Sequence, residues 1–296
     1  MTPNTSQPAG VIHDLAYRRY EGARLGAATR FTVIARYAVI LQWRLRAVKL
    51  FLVGALVGMA MGAMALGFRL GFSRIVSEGG EGLRGLDRGA DAVPVAYALS
   101  AQYLPSLLLV LVCGAPSVAA DLNAGAFQFH FARPVSAGQY LAGRMVGAVA
   151  WAAVFSYASL VLYCVERLAF VSDLAGSAKL LAVGALGVTA RLASLGAVAL
   201  GCSSLTRRKG LAQAMFLALV AGTGMITTIM AHNLDRPWVA ALSVMDAGAA
   251  LTDQLLGSAH FAGATAFAPS LALAVWIVAP LSIAWARVRG AEVVRG

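Results

Sequence analysis

The sequence has few charged residues and very few cysteines, and each scarcity excludes a class of protein. Only 12% of the 296 residues are charged, 59% are hydrophobic, and the mean hydropathy is +0.75. So much apolar surface with so few charges excludes a soluble globular domain. The three cysteines, Cys113, Cys164 and Cys202, stand in separate apolar runs, which excludes a disulfide framework or a CxxC metal site. The four histidines form no HxxxH or HExxH spacing, so we predict no metal site.

Acidic residues are scarcer than basic ones, and this imbalance also has to be explained. Against 13 Asp and Glu stand 24 Lys and Arg, a formal net charge of +11. A nucleic-acid-binding chain keeps its basic residues on a solvated face, whereas here they stand at the ends of apolar runs. We therefore expect no nucleic-acid partner and interpret the charge as a signal of membrane topology.

Long uncharged apolar runs are what the sequence does contain. Crossing a hydrocarbon core about 30 Å thick takes about 20 helical residues. Because lipid cannot hydrogen-bond the backbone, a crossing segment must be a helix or part of a closed barrel, and continuous rather than alternating runs indicate helices. The sequence predicts an all-α polytopic membrane protein, covered by lipid, with six transmembrane helices at residues 50–68, about 97–114, 145–165, 180–206, 211–231 and 268–286.

The distribution of basic residues predicts the orientation of these spans. Six spans place both termini on one side, and with the termini inside, 16 of the 24 basic residues are cytoplasmic and seven are external. The excess of Lys and Arg marks the cytoplasmic side. We expect a cytoplasmic N-terminal segment at 1–49, a six-helix transmembrane domain at 50–286 and a basic cytoplasmic tail at 287–296.

Apolar residues recur at steps of three and four before the first span. This stripe predicts an amphipathic helix lying in the membrane interface, with Arg36 and Arg46 off the stripe. A cytosolic extension of the first span is the alternative. The residues of the stripe are Phe31, Ile34, Ala38, Leu41, Leu45 and Val48.

Glycines in the first span form a tandem GxxxG pattern at Gly54, Gly58 and Gly62. Small residues at this spacing let two membrane helices approach closely, so we predict a helix-packing surface there. Glycine is common in this chain, with 31 copies, so chance spacing is the competing explanation.

The loop at 232–267 is long for an external connection and moderately apolar. Short helices that dip into the outer leaflet are one interpretation, and a plain extracellular loop is the other. The apolar residues include Pro237, Trp238, Leu242, Met245, Leu255 and Leu256, between Asp235, Asp246 and Asp253.

Charge within the spans is almost absent. Ion-coupled carriers usually place Asp, Glu or His inside their spans, and the six predicted spans contain no Asp or Glu. The one charge at depth is Arg191, which lies roughly 16 Å down if its helix begins at Leu180. Arg191 then either lines a substrate path, or snorkels outward or pairs with a neighbouring polar group.

No loop of the form GxxxxGKS/T is present to bind ATP. Lys49, Lys179 and Lys209 are followed by Leu, Leu and Gly, whereas a P-loop Lys precedes Ser or Thr. If ATP drives this protein, another chain must bind it.

The segment between the second and third spans, residues 120–144, is too apolar for a free cytosolic turn. Phe127, Phe129 and Phe131 need to be covered, either by a docked cytosolic partner or by the protein's own bundle. Arg133-Pro134 breaks the chain, and Ser136 is a predicted N-cap of the next helix.

The same segment has the form acid-x-x-x-Gly from Asp121 to Gly125. It is followed by Arg133-Pro134-Val135-Ser136, by Tyr140 and by Gly143-Arg144, with a matching opening at residues 13–22, a Ser203-Ser204-Leu205-Thr206-Arg207-Arg208 turn and a basic C-terminal tail. Together these pieces resemble the permease subunits of bacterial type-2 ATP-binding-cassette (ABC) exporters over almost the whole chain. One departure is Asp121, since that family often has Glu at this position.

The resemblance implies a dimer of six-span subunits, either a homodimer or a heterodimer, in the bacterial cytoplasmic membrane. Each subunit would dock on a cytosolic ATP-binding subunit, which holds ATP and Mg, while this chain binds no cofactor directly and is not an enzyme. An unidentified substrate would be exported between the two subunits. The implied ATPase-coupling residues are Asp121, Gly125, Phe127, Phe129, Arg133, Pro134 and Tyr140.

Two other classes of function compete with this expectation. An intramembrane enzyme needs a nucleophile, a base or a metal cluster, and the sequence has no GxSG with a partnered His and no acid pair in a span. An ATP-independent channel or scaffold protein is the alternative that the sequence leaves open.

Overall fold

A computed structural model describes residues 26, 29–78, 96, 100–127, 135–256 and 267–293. Within these ranges the chain forms helices joined by short turns, and it forms no strand. The helices are α1 (Arg30–Trp43), α2 (Arg46–Glu78), α3 (Tyr103–Cys113), α4 (Ser117–Ala124), α5 (Ala137–Val171), α6 (Leu174–Leu205), α7 (Lys209–Asn233), a 3-10 helix (Pro237–Leu242), α8 (Asp246–Leu256) and α9 (Phe267–Val293).

Six helical segments in the described ranges are long and apolar enough to cross a membrane. They are α2, α3 together with α4, α5, α6, α7 and α9, and they confirm the all-α fold with six spans. Most of these helices extend beyond the apolar runs at one or both ends.

The second span differs most from its predicted bounds. It begins at Tyr103, so Pro105 lies in the first turn, where a missing N–H costs little. The helix ends at Cys113, and after a turn the chain continues as α4, which places Asp121 on a helix rather than in a loop. Two side chains satisfy carbonyls at the end of α3: Gln42 Nε2 donates to Cys113 O (3.5 Å) and Gln213 Nε2 donates to Leu111 O (3.3 Å).

Helix α6 lies at the centre of the bundle, where it packs against α4, α5, α7, α8 and α9. Its second half is almost entirely buried, and small residues let its neighbours come close. A Cβ added at Gly201 would lie 2.7 Å from the Cβ of Pro280 on α9. Because α6 is central, it contacts both of the short helices, α4 and α8.

Helix α1 is separate from the first span, because it ends at Trp43 and α2 begins at Arg46. It packs on the first half of α5 where two glycines make room. A Cβ at Gly143 would lie 2.7 Å from Ile34 Cβ, and one at Gly147 would lie 2.7 Å from Ala38 Cβ.

The buried face of α1 does not coincide with the predicted apolar stripe. Ala35, Ala38 and Gln42 are buried against the bundle, whereas Leu41 is exposed, as is Leu45 just after the helix. Trp43 stacks on Trp151 of α5, with ring centroids 4.9 Å apart. A second apolar face therefore remains uncovered, including Val33, Tyr37 and Ile40, and its place in the membrane interface stays a prediction.

The loop after α7 contains the 3-10 helix and α8, so in the described part it is not a plain loop. Val244, Met245 and Ala247 are fully buried, and Trp276 Nε1 of α9 donates to Leu242 O at 2.9 Å. Residues 257–266 lie outside the described ranges. The insertion of this segment into the outer leaflet stays a prediction.

Candidate functional site

A shared carboxylate joins the two ends of the segment between the second and third spans. Tyr140 Oη donates to Asp121 Oδ2 at 2.5 Å, and Arg144 Nη2 forms an ion pair with the same carboxylate oxygen. The side chains of Arg144 and Asp121 are only 15% and 13% exposed. We call Asp121, Phe127, Tyr140 and Arg144 the loop cluster, and the end of the bundle that carries it the loop end.

The sequence around Asp121 explains why the helix stops just after it. Gly125 has φ 63° and ψ 20°, the left-handed conformation that glycine adopts without steric cost. The N–H of Ala126 donates to Asp121 O at 2.9 Å, which satisfies a carbonyl of the last turn. The chain then turns towards Phe127 with the Asp121 side chain still directed at α5.

Phe127 is covered by the protein itself. Its ring meets the ring of Tyr140 edge-on, with centroids 5.2 Å apart and planes at 67°. Around this pair lies a buried apolar cluster formed by Val118, Ala137, Leu141, Leu200, Ala284 and Val288. Of the two ways in which Phe127 could be covered, by a docked partner or by its own bundle, the structure has the second.

The other predicted loop residues, Phe129, Arg133 and Pro134, lie outside the described ranges. On their C-terminal side, α5 begins at the predicted cap. Ser136 Oγ accepts from Gln139 N at 3.3 Å, and Gln139 Oε1 accepts from Ser136 N at 3.2 Å. The predicted N-cap is thus confirmed, as part of a capping box.

A serine on α6 holds the start of α4. The N–H groups of Val118 and Ala119 both donate to Ser203 Oγ, at 3.0 and 2.9 Å. Pro116, the N-cap of α4, has no side-chain acceptor. The fully buried Ser203 of α6 accepts these hydrogen bonds instead. The loop cluster is therefore linked to α6 as well as to α5.

Arg191 lies inside the bundle, near the middle of α6. It is 4% exposed, and its guanidinium carbon lies 5.8 Å from the centroid of the Tyr103 ring. The carboxylate of Asp246, at the start of α8, is close enough to act electrostatically on it. Its polar neighbours thus come from α3 and α8.

Close packing holds α8 against this part of α6. A Cβ added at Gly248 would lie 3.1 Å from both Arg191 N and Gly187 O. Ser194 Oγ of α6 also donates to Val244 O at 3.1 Å, just before α8 begins. Sequence reasoning did not connect these residues, because the contacts join elements that are about 50 residues apart.

The three glycines of the first span occupy different environments. A Cβ at Gly58 would lie 3.1 Å from Ala101 O, and Gly62 lies against the Tyr163 hydroxyl, which donates to Met59 O at 3.0 Å. Gly54 has open space around it. Two of the three glycines therefore contact neighbouring segments of the same chain.

Residues that the sequence did not single out as site residues include Arg144, Ser203 and Gly143. Arg144 follows Tyr140 by one helical turn, so both lie on one face of α5. The ion pair could have been predicted from that spacing together with Asp121, an acidic residue at the other end of the segment. Ser203 and Gly143 belong to the pieces of the family resemblance, but their contacts could not be predicted, because their partners are far away in sequence.

No protein-family model matches this chain, and no curated protein matches it either. Among the described residues, no group of three His, Cys, Asp or Glu side chains could hold a metal ion. The three cysteines are buried free thiols.

Proposed function

We propose that this chain is the transmembrane (permease) subunit of an ABC exporter, which moves a substrate across the bacterial cytoplasmic membrane. The observation that carries the proposal is the shared carboxylate oxygen of Asp121, which binds both Tyr140 and Arg144. Because this contact joins the two ends of the loop, a force applied to the loop would be transmitted to both α4 and α5.

Two further contacts extend this path. Ser203 connects α4 to the central helix α6, and Gly143 brings α1 against α5 one residue before Arg144. A cytosolic ATP-binding subunit docked on the loop would bind ATP and Mg and move these helices as a unit. ATP would shift the bundle only as far as it favours one conformation over the other.

The exposed apolar faces are consistent with a second permease subunit beside the first. Helix α7 buries only Ala212, Phe216 and Val220, and α2 also exposes many of its large apolar side chains. Lipid or a second subunit must cover these faces. Gly54 on α2 and Gly222 on α7 have open space around them, which suits close approach of another helix.

The decisive test is whether this chain captures a P-loop ATPase encoded by a neighbouring gene. Phe129→Ala should weaken that capture, by about 2 kcal/mol if Phe129 is an aromatic anchor in a pocket of the ATPase. Phe127→Ala should instead lower thermal stability, because Phe127 packs in the protein's own core. Phe72→Ala, on the exposed far part of α2, is the matched control.

Capture and ATPase stimulation are compared at matched folding, judged by monodispersity in detergent. Equal capture by wild type and Phe129→Ala, or the lack of any ATPase partner, would overturn the proposal. An ATP-independent channel or scaffold would then be the leading function.

Orientation is tested separately with single cysteines in a cysteine-free background. Gly138, at the start of α5, and His232, at the end of α7, are both exposed. Gly138→Cys should react with a membrane-impermeant maleimide only from the cytoplasmic side, and His232→Cys only from the outside. Labelling of both from one side would contradict the six-span topology.

A further inference from the structure

A cavity of about 440 Å³ opens at the loop end, between the end of α4, the α6–α7 turn and the last turns of α9. Its lining combines apolar side chains with two arginines, Arg207 after α6 and Arg287 on α9. Among the described residues that line it, no side chain is acidic. We call this cavity the basic groove, lined by Leu122, Ser204, Leu205, Arg207, Arg287 and Gly290.

We propose that the basic groove binds the headgroup phosphate of an anionic phospholipid from the leaflet at the loop end. The proposal does not depend on an ATPase partner, because it concerns only the position of the groove and its chemistry.

The depth of the groove agrees with a lipid headgroup. Arg287 follows the start of α9, Phe267, by 20 residues, which is about 30 Å along a helix and matches the thickness of the hydrocarbon core. In the same turns, Trp285 is 44% exposed and Arg289 lies over its ring at 4.9 Å. Exposed tryptophan beside a basic residue is typical of the boundary between hydrocarbon and headgroups.

The charges suit a phosphate. Arg207 and Arg287 are exposed and, within the described ranges, neither is in an ion pair. Their guanidinium groups can each donate two parallel hydrogen bonds to phosphate oxygens. Because Arg207 lies in the α6–α7 turn and Arg287 lies on α9, one phosphate between them would reduce their mutual repulsion.

The apolar part of the lining favours lipid over an acidic peptide. Leu205 is 52% exposed, and Leu122 lies at the same cavity, so acyl chains can continue from the headgroup along apolar surface. The volume is in the range of small-ligand pockets, which suits a phosphoglycerol headgroup rather than a folded segment. Basic pockets between transmembrane helices on the cytoplasmic side are known sites for anionic headgroups.

The test is native mass spectrometry of the full chain, purified in detergent and titrated with phosphatidylglycerol or phosphatidylcholine. Wild type should retain phosphatidylglycerol preferentially. The double variant Arg207→Gln/Arg287→Gln should lose that retention by about tenfold, whereas Arg208→Gln/Arg289→Gln, with the same change of charge, should resemble wild type.

A second pair of variants tests the cavity without changing charge. A Cβ at Gly290 meets nothing within 4 Å, so Gly290→Phe can fill the groove, and Gly138→Phe is the control at another open glycine of the loop end. Gly290→Phe should reduce phosphatidylglycerol retention, and Gly138→Phe should not. Thermal stability of each variant identifies a folding defect.

Three outcomes would overturn the proposal. Equal loss in both arginine double variants would indicate diffuse charge attraction instead of a site. Saturation by inorganic phosphate with no preference between the two lipids would indicate a site for free phosphate. Unchanged lipid retention in the groove variants, together with loss of ATPase capture, would assign the groove to a protein contact.

Discussion

Two short helices, α4 and α8, both pack on α6, but they are held by different kinds of contact. Helix α4 is held by directional polar bonds, to Ser203 Oγ at its start and through Asp121 to Arg144 near its end. Helix α8 is held by close packing, with Gly248 against the backbone of α6. A few polar bonds can be exchanged during movement, whereas a tight backbone contact resists it. We infer that α4 can move relative to α6 more readily than α8 can.

The largest effect is expected from breaking the ion pair of the loop cluster. Arg144→Leu leaves the largely buried Asp121 carboxylate without its guanidinium, and should lower the free energy of unfolding by about 3 kcal/mol. Denaturation with SDS in mixed micelles measures this change. Adding Asp121→Asn to Arg144→Leu should restore part of the loss, and a double variant no more stable than Arg144→Leu would contradict the ion-pair explanation.

A slightly smaller effect is expected where α8 meets α6. Gly248→Leu places a side chain against Arg191 N and Gly187 O, so α8 must shift, at a cost of about 2.5 kcal/mol. Gly210→Leu, at an open and exposed position at the start of α7, should cost nothing in the same assay. If both variants are equally stable, close packing does not hold α8.

Removal of the acceptor at the start of α4 should cost about 2 kcal/mol. Ser203→Ala leaves the buried N–H groups of Val118 and Ala119 without their acceptor. Hydrogen exchange should then accelerate at α4 while exchange at α8 stays unchanged. Equal acceleration at both helices would show that α4 and α8 do not differ as we infer.

The smallest effect is expected from a conservative change near α8. Arg191→Lys keeps the charge beside Asp246 and Tyr103, and should cost less than about 1 kcal/mol, whereas Arg191→Leu should cost about 2 kcal/mol. Both are measured by unfolding in mixed micelles at equal expression. Equal stability of the two variants would mean that the charge of Arg191 contributes nothing here.

The number of spans could be predicted because lipid imposes a simple requirement on sequence. An uncharged apolar run of about 20 residues leaves few alternatives to a crossing helix. The ends were less predictable, as the second span shows. Gly114 and Pro116 break the helix, but the chain resumes as α4, and this depends on Ser203 from a distant helix.

The loop cluster was predictable only in part. Asp121, Tyr140 and Arg144 were among the residues that carried the resemblance to a known family, but periodicity along the chain does not tell which side chains meet across a turn. The same limit applies to Arg191, whose depth could be estimated from helical rise. Its neighbours, Tyr103 and Asp246, belong to elements far away in sequence.

The stacked pair of Trp43 and Trp151 has a spectroscopic consequence. Two indoles 4.9 Å apart are close enough to couple their electronic transitions, so we expect a paired positive and negative band in circular dichroism. One indole belongs to α1 and the other to α5, so the band reports the contact between these helices. The packing of α1 on α5 can thus be followed optically, in detergent or in vesicles, without any added label.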